Sequence, residues 1–196
     1  MKTIILDRDG VINEDSDEFI KSVEEWRPIS GSLEAIARLC RNDYRIVVAT
    51  NQSGVARGLL SIDTLNAIHR HMLKQVRNKG GMIEAVFFCP HGPDDDCQCR
   101  KPRTGMFKDI AKRMKIETSG VPVVGDSMRD LQAAWDSGAI PILVKTGKGR
   151  KTARDLKKKD SPVPESAVKQ FATLESFAEA LLAGEMDTIL QERLDA

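Results

Sequence analysis

The chain has 196 residues, of which 41% are hydrophobic and 30% charged, a balance typical of one compact globular domain rather than of a disordered chain. Thirty basic side chains against 29 acidic ones leave a formal net charge of +1, so no excess of charge indicates nucleic acid or a membrane surface as a partner. No apolar run approaches the roughly 20 residues that span a bilayer, and Asp7 comes too early for a secretory signal, so we expect a cytoplasmic protein and, at this length, a monomer.

Five short apolar runs alternate with amphipathic patterns along the chain. The runs predict buried strands at 4–6, 46–49, 85–88, 121–124 and 140–144. Between them, apolar residues recur at helical spacing, and Ser61 is the predicted N-cap of the second helix. This alternation predicts an α/β fold, a Rossmann-like parallel sheet sandwiched by helices.

The composition changes after the fifth predicted strand. Residues 145–151 read as a basic, glycine-rich loop, and three lysines at 157–159 precede a proline-containing linker. Apolar residues at helical spacing within 174–182 then predict an amphipathic helix that packs back on the sheet.

Polar side chains stand at the carboxyl ends of the predicted strands, where open parallel sheets bind their ligands. Mg²⁺ prefers carboxylate ligands, a carboxylate can accept a phosphoryl group, and a second carboxylic acid can protonate the leaving oxygen. Lysine and hydroxyl groups can hold the phosphate oxygens. A single D-x-D pair is common in loops, but all these groups together, each at a strand end, indicate a phosphoryl-transfer site. The residues are Asp7, Asp9, Thr50, Asn51, Lys101 and Asp126.

Three cysteines and one histidine crowd into the segment before Lys101. Cys89, His91, Cys97 and Cys99 supply enough ligands to close a tetrahedral zinc shell, which indicates a structural zinc site. Because this loop leads directly to Lys101, a bound zinc would hold that cation toward the phosphate.

Four segments together resemble the motifs of the haloacid dehalogenase superfamily, and within it the histidinol-phosphatase-like branch. The resemblance implies that Asp7 is the nucleophile and Asp9 the general acid and base. It implies that Asp126 binds Mg²⁺ with the Asp7 carboxylate and the Asp9 carbonyl, supported by Asp130, and that Thr50 and Lys101 bind the phosphoryl group. The cysteine cluster is similar to the zinc loop of that branch. The segments are Asp7–Ile12, Thr50–Gly54, Cys99–Pro102 and Gly125–Asp130.

The residues alone predict a polar phosphate monoester as substrate, bound at an open site because the flap of residues 13–28 is too short to form a large cap. The resemblance implies that this substrate is a small phosphorylated sugar. Arg57 and Arg100 are candidates for contacting the part of the substrate away from the reacting phosphate. Ser53 and the run after it resemble the members of the branch that remove the 7-phosphate of a heptose bisphosphate during lipopolysaccharide synthesis. Two alternatives stay open: hydrolysis of histidinol phosphate, and a non-catalytic zinc-stapled module that binds a partner through residues 145–159.

We predict a single phosphatase domain with a minimal cap over residues 1–196. Its catalytic core covers 1–147 and includes the zinc loop at 89–100, and 148–196 form a C-terminal appendage on the core.

Overall fold

The structure is a computed structural model that describes residues 2–186. Six parallel strands form one sheet in the order β3-β2-β1-β4-β5-β6. The predicted parallel α/β fold is confirmed, and each of the five predicted strands is present. The strands are β1 (Lys2–Leu6), β2 (Tyr44–Asn51), β3 (Ile83–Cys89), β4 (Pro122–Gly125), β5 (Ile140–Val144) and β6 (Lys169–Phe171).

Helices cover both faces of the sheet. The second begins at the predicted cap, where the Thr64 amide donates to Ser61 Oγ at 3.0 Å. The segment 145–151, predicted as a loop, contains the start of a short helix, and the linker after it contains a 3₁₀ turn and β6. The helices are α1 (Ser32–Arg41), α2 (Ile62–Asn78), α3 (Gly105–Met114), α4 (Met128–Asp136), α5 (Gly149–Asp155) and α6 (Leu174–Leu182).

Alternate residues of β1 enter the cores on opposite faces of the sheet. Ile4 and Leu6 belong to the cluster that α1, α2 and α6 cover, whereas Ile5 packs with the cluster of α3 and α4. All three are fully buried, which explains why this strand reads as a continuous apolar run rather than as an alternating one.

The strand order places β1 at the centre, with β2 on one side and β4 on the other. Connections leave β1 and β4 in opposite directions along the sheet, and the crevice at such a reversal is where open parallel sheets bind ligands. The flap of residues 13–28 lies over this crevice, and a bridge between Asn13 and Pro28 closes its base.

The C-terminal segment joins the core through α6. Leu174 and Phe177 are fully buried in the cluster that contains Ile4, and Arg38 of α1 pairs with Glu179 at 3.1 Å. The division into a core and an appendage stays a proposal, and residues 187–196 of that appendage lie outside the described residues. Among residues 2–186, no helix combines the length and the apolar character that crossing a membrane would require.

Candidate active site

Three neighbouring strands end at one pocket. Asp7 follows β1, Thr50 lies near the end of β2 and Asp126 follows β4, and all three line this pocket. The Asp7 amide continues the ladder beyond β1, because it donates to Val124 O at 2.9 Å. The predicted convergence of strand-end side chains is therefore present in the structure.

Lys101 lies at the centre of the acidic cluster. Its Nζ is 3.1 Å from Asp7 Oδ1 and 2.5 Å from Asp130 Oδ1, and it donates to the carbonyl oxygen of Ala49 at 2.7 Å. Burial alone would lower the pKa of Lys101, but the charges of Asp130 and Asp7 raise it above its ordinary value. The ammonium therefore stays charged between the two carboxylates, where it can also meet phosphate oxygens.

The carboxylates around Lys101 carry more negative charge than it neutralises. Burial, followed by the charge of Asp130, raises the pKa of Asp7 to about 7 and that of Asp126 to about 8. Oxygens of Asp7, Asp126 and Asp130 all lie within 4.8 Å of one another. A buried set of hard oxygen donors with excess negative charge fits a divalent cation such as Mg²⁺.

Asp126 lies between two glycines in the left-handed backbone region. A Cβ added to Gly10 (φ 78°) would lie 2.1 Å from Asp126 Oδ2, and one added to Gly147 (φ 50°) would lie 2.2 Å from the same atom. The Lys148 amide donates to this oxygen at 2.7 Å. The loop after β5 is therefore part of the site, which the sequence did not indicate.

Asp9 is held in place by hydrogen bonds. Arg8 Nε and Nη2 donate to its two oxygens at 3.0 and 2.9 Å. Asn13 Nδ2 and Gln52 Nε2 donate to the same two oxygens at 2.8 and 2.9 Å. Because Gln52 also donates to Thr50 Oγ1 at 2.9 Å, Asp9 and Thr50 are joined into one network.

Asn51 is directed toward the main chain of Lys101. Its Nδ2 donates to the Lys101 carbonyl at 3.0 Å, and its Oδ1 accepts from the Lys101 amide at 3.1 Å. Asn51 also lines the pocket, so contact with substrate stays a prediction. The observed bonds indicate that it holds Lys101 in place.

Three arginines surround the pocket opening. Arg57 and Arg100 were predicted there, and Arg129, at the start of α4, was not. Burial and the positive charge of Arg129 lower the pKa of Arg100. Arg57 lies over the ring of Phe19 in the flap, 5.5 Å from its centroid.

The cysteine loop brings its four predicted ligands together. His91 Nδ1 lies 3.3 Å from Cys99 Sγ, and Cys89 Sγ lies 3.2 Å from Cys99 Sγ and 3.7 Å from Cys97 Sγ. All four ligand atoms are within 4.8 Å of one another. Burial raises the pKa of the Cys89 thiol to about 12, so a cation is needed to hold it as thiolate. This set fits tetrahedral zinc.

Comparisons with known proteins agree with this geometry. The HAD-hydrolase-like family profile matches residues 98–174. The D-glycero-beta-D-manno-heptose-1,7-bisphosphate 7-phosphatase of Bordetella bronchiseptica is 60% identical over 152 residues, which cover 78% of this chain and 85% of the relative. The chain belongs to this phosphatase family. The Pseudomonas aeruginosa member is 47% identical over 179 residues, covering 91% of this chain and 97% of its own length.

A solved structure supports the same assignment to the heptose-bisphosphate phosphatase family. The crystal structure of D,D-heptose 1,7-bisphosphate phosphatase from B. bronchiseptica, complexed with magnesium and phosphate, has a TM-score of 0.87 and 52% identity. The match covers 93% of this chain and 99% of the chain in the crystal structure. Family members are phosphatases, so the comparisons favour the first reading of the sequence over histidinol-phosphate hydrolysis and over a non-catalytic binding module.

Proposed function

We propose that the chain is a Mg²⁺-dependent phosphatase that removes the 7-phosphate of D-glycero-D-manno-heptose 1,7-bisphosphate. The observation that carries the proposal is the meeting of Asp7, Asp126 and Asp130 around Lys101, with Asp9 beside them. The names of the relatives support the choice of substrate. In the relatives' biology, we expect this step to serve lipopolysaccharide synthesis.

The reaction that these side chains support has two halves. An oxygen of Asp7 bonds to phosphorus as the bond to O7 of the sugar breaks, and Asp9 gives its proton to O7. Asp9 then takes a proton from water, whose oxygen attacks phosphorus and releases phosphate, so that the Asp7 carboxylate is restored. Thr50 and Lys101 hold the phosphate oxygens through both halves.

Asp7 and Asp126, with the Asp9 carbonyl, would hold Mg²⁺, and Asp130 would support the site through Lys101. When bound, the metal supplies positive charge that offsets the carboxylates and the phosphate. Cys89, His91, Cys97 and Cys99 would hold a structural zinc. We also propose a monomeric, cytoplasmic protein, for which sedimentation and cell fractionation are the tests.

The decisive experiment measures phosphate release from heptose 1,7-bisphosphate with Mg²⁺, beside histidinol phosphate at equal concentration. We expect heptose 1-phosphate as the product by phosphorus NMR, and loss of activity on treatment with EDTA. Faster turnover of histidinol phosphate would contradict the proposed substrate but would still agree with the proposed phosphatase mechanism.

Replacing the nucleophile tests the chemistry itself. Asp7→Asn should reduce phosphate release by at least ~10³-fold, because the amide cannot form the phosphoryl intermediate. Circular dichroism provides the control for folding. Turnover near that of the wild type by a folded Asp7→Asn protein would contradict the proposed intermediate.

A further inference from the structure

Arg8 is a fully buried cation beside the proposed active site. Burying a guanidinium costs free energy unless its charge and its donors are matched. Arg8 meets this condition with Asp9, because Nε and Nη2 each donate to a different oxygen of that carboxylate, at 3.0 and 2.9 Å. This two-point contact defines the plane of the carboxylate, which one hydrogen bond cannot do.

The third side of the guanidinium faces His69. Arg8 Nη1 lies 3.2 Å from His69 Nε2. An arginine can only donate, so Nε2 accepts and the imidazole is neutral, with its proton on Nδ1. Burial and the charge of Arg8 lower the pKa of His69 to about 3, which agrees with a neutral ring. His69 stands at helical spacing from Leu65 and Met72, a pattern typical of a packed core histidine, and the structure adds a specific polar partner.

Two neutral amides complete the contacts of Asp9. Asn13 Nδ2 donates to the oxygen that Arg8 Nε also contacts, and Gln52 Nε2 donates to the oxygen that Nη2 contacts. The carboxylate therefore has a defined plane and position, although its side chain remains 21% exposed toward the pocket.

We propose that Arg8, held by His69, is a positioning residue that orients the Asp9 carboxyl group for proton transfer at the leaving oxygen. This inference rests on the proposed function, since it concerns the acid and base of that reaction. A purely structural role would not require a buried guanidinium, because apolar replacements of buried ion pairs are often neutral or stabilising. Catalysis, in contrast, is sensitive to displacements of about 1 Å.

The test exploits the leaving group. A sugar alkoxide leaves only if it is protonated, whereas p-nitrophenolate leaves without help. Arg8→Met should therefore slow phosphoryl transfer from heptose 1,7-bisphosphate about 10- to 100-fold, part of the 10²–10⁴-fold typical of general acid–base catalysis, with KM changed by less than about threefold. The first release of p-nitrophenolate should be slowed much less. Because Asp9 must also activate water, a burst close to one equivalent of p-nitrophenolate per enzyme should appear.

Matched variants separate positioning from folding. His69→Gln keeps an acceptor for Arg8 and should retain more activity on the sugar phosphate than His69→Leu, at similar melting temperature. Arg45→Met is the control, because Arg45 makes the same two-point contact with Glu84, at 2.6 and 2.7 Å, away from the pocket. Arg45→Met should leave the rates of phosphoryl transfer from both substrates unchanged. If Arg8→Met does not fold, the comparison of the two His69 variants decides.

Two outcomes would overturn the inference. One is an equal proportional loss of phosphoryl transfer from both esters in Arg8→Met, and the other is equal activity of His69→Gln and His69→Leu. Failure of the proposed function looks different, because the wild type would then hydrolyse neither ester, or Asp9→Asn would remain active. If the wild type rejects only the heptose, glucose 6-phosphate replaces it as the alkyl ester.

Discussion

At the scale of single residues, the pocket opening combines three like charges. Arg57, Arg100 and Arg129 line it together, and burial with the charges of the other two lowers the pKa of Arg100. Such crowding costs free energy, and an anionic or hydroxylated group of the substrate would reduce that cost. The arginine fork suits this task because it pairs with two oxygens at once.

Arg100→Ala tests this reading. We expect kcat/KM to fall about 10- to 100-fold for heptose 1,7-bisphosphate, the effect of one lost charged hydrogen bond, and less for p-nitrophenyl phosphate. Arg113→Ala, which removes an exposed arginine of α3 outside the pocket lining, is the control. Equal losses on both substrates would mean that Arg100 serves the reacting phosphate.

Some site residues could be predicted from sequence and others could not, for a physical reason. Asp7 and Asp126 were predictable because the carboxyl ends of parallel strands meet at one edge of a sheet. The contacts of Arg129 and Lys148 depend on the direction of the first turn of α4 and on the path of the loop after β5. Local residue patterns do not encode either of them.

At the scale of elements, the zinc loop holds the residues that precede α3. Arg100 Nη1 donates to the carbonyl of His91 at 3.2 Å, and Lys101 follows immediately along the chain. Removing one zinc ligand should therefore disturb the phosphate site as well as the metal site.

Cys99→Ser should weaken zinc retention and lower kcat. The expected loss of metal affinity is at least about 10-fold, since each ligand of a closed shell contributes strongly. Elemental analysis after gel filtration measures the zinc content, and Cys40→Ser provides a cysteine control outside the cluster. Wild-type protein that is purified without chelator and contains no zinc would contradict the structural zinc.

The flap is fastened to the loop after β5 by an ion pair. Lys148 Nζ lies 3.0 Å from Asp15 and 3.3 Å from Asp17. Asp15 lines the pocket, so this contact holds one wall of that pocket. The pair is partly exposed, so its contribution to stability is small, at most about 1 kcal/mol.

Lys148→Ala should therefore act on binding more than on folding. We expect KM for heptose 1,7-bisphosphate to rise about 3- to 10-fold, with a melting temperature within about 2 °C of the wild type. Lys151→Ala, an exposed lysine of α5, is the matched control. An unchanged KM in Lys148→Ala would show that the flap does not depend on this contact.

The elements that sequence patterns missed are those with little hydrophobic signal. β6 has only three residues, and all are partly exposed. In α5 the buried residues are Gly149 and Thr152, so no apolar stripe marks the helix. Its anchor is polar, because Thr152 Oγ1 donates to the Asp126 carbonyl at 2.7 Å.

At the scale of the whole molecule, the acidic site makes stability depend on pH and on metal. Below about pH 7, the folded, metal-free protein holds protons on Asp7 and Asp126, because their pKa values of about 7 and about 8 exceed the ordinary 3.8. These protons are lost more easily when the chain unfolds. The contribution of these two carboxyl groups to the stability of the metal-free protein is therefore fully present below the ordinary pKa of 3.8 and is lost as the pH rises through about 7 to 8.

Mg²⁺ should reverse that loss, because it binds the ionised carboxylates. The increase in melting temperature on adding Mg²⁺ should be larger at about pH 8 than at about pH 5.5. The melting temperature of Asp126→Asn should rise much less on adding Mg²⁺ at either pH. An increase of the same size at both pH values in the wild type would contradict a site built from these two carboxylates.

The glycine pair around Asp126 restricts the sequences that this molecule can accept. Gly10 and Gly147 lie more than 130 positions apart, yet each would place a methyl group about 2 Å from the same oxygen. The steric clash caused by alanine at one position cannot be relieved by a substitution at the other, because the space around the Asp126 carboxylate is bounded by main chain on both sides. If both codons were fully randomised and variants were sorted for phosphate release, we expect the survivors to encode glycine twice. Both positions would then be invariant for one shared reason, the space that a single carboxylate oxygen of Asp126 needs, although they lie far apart along the chain.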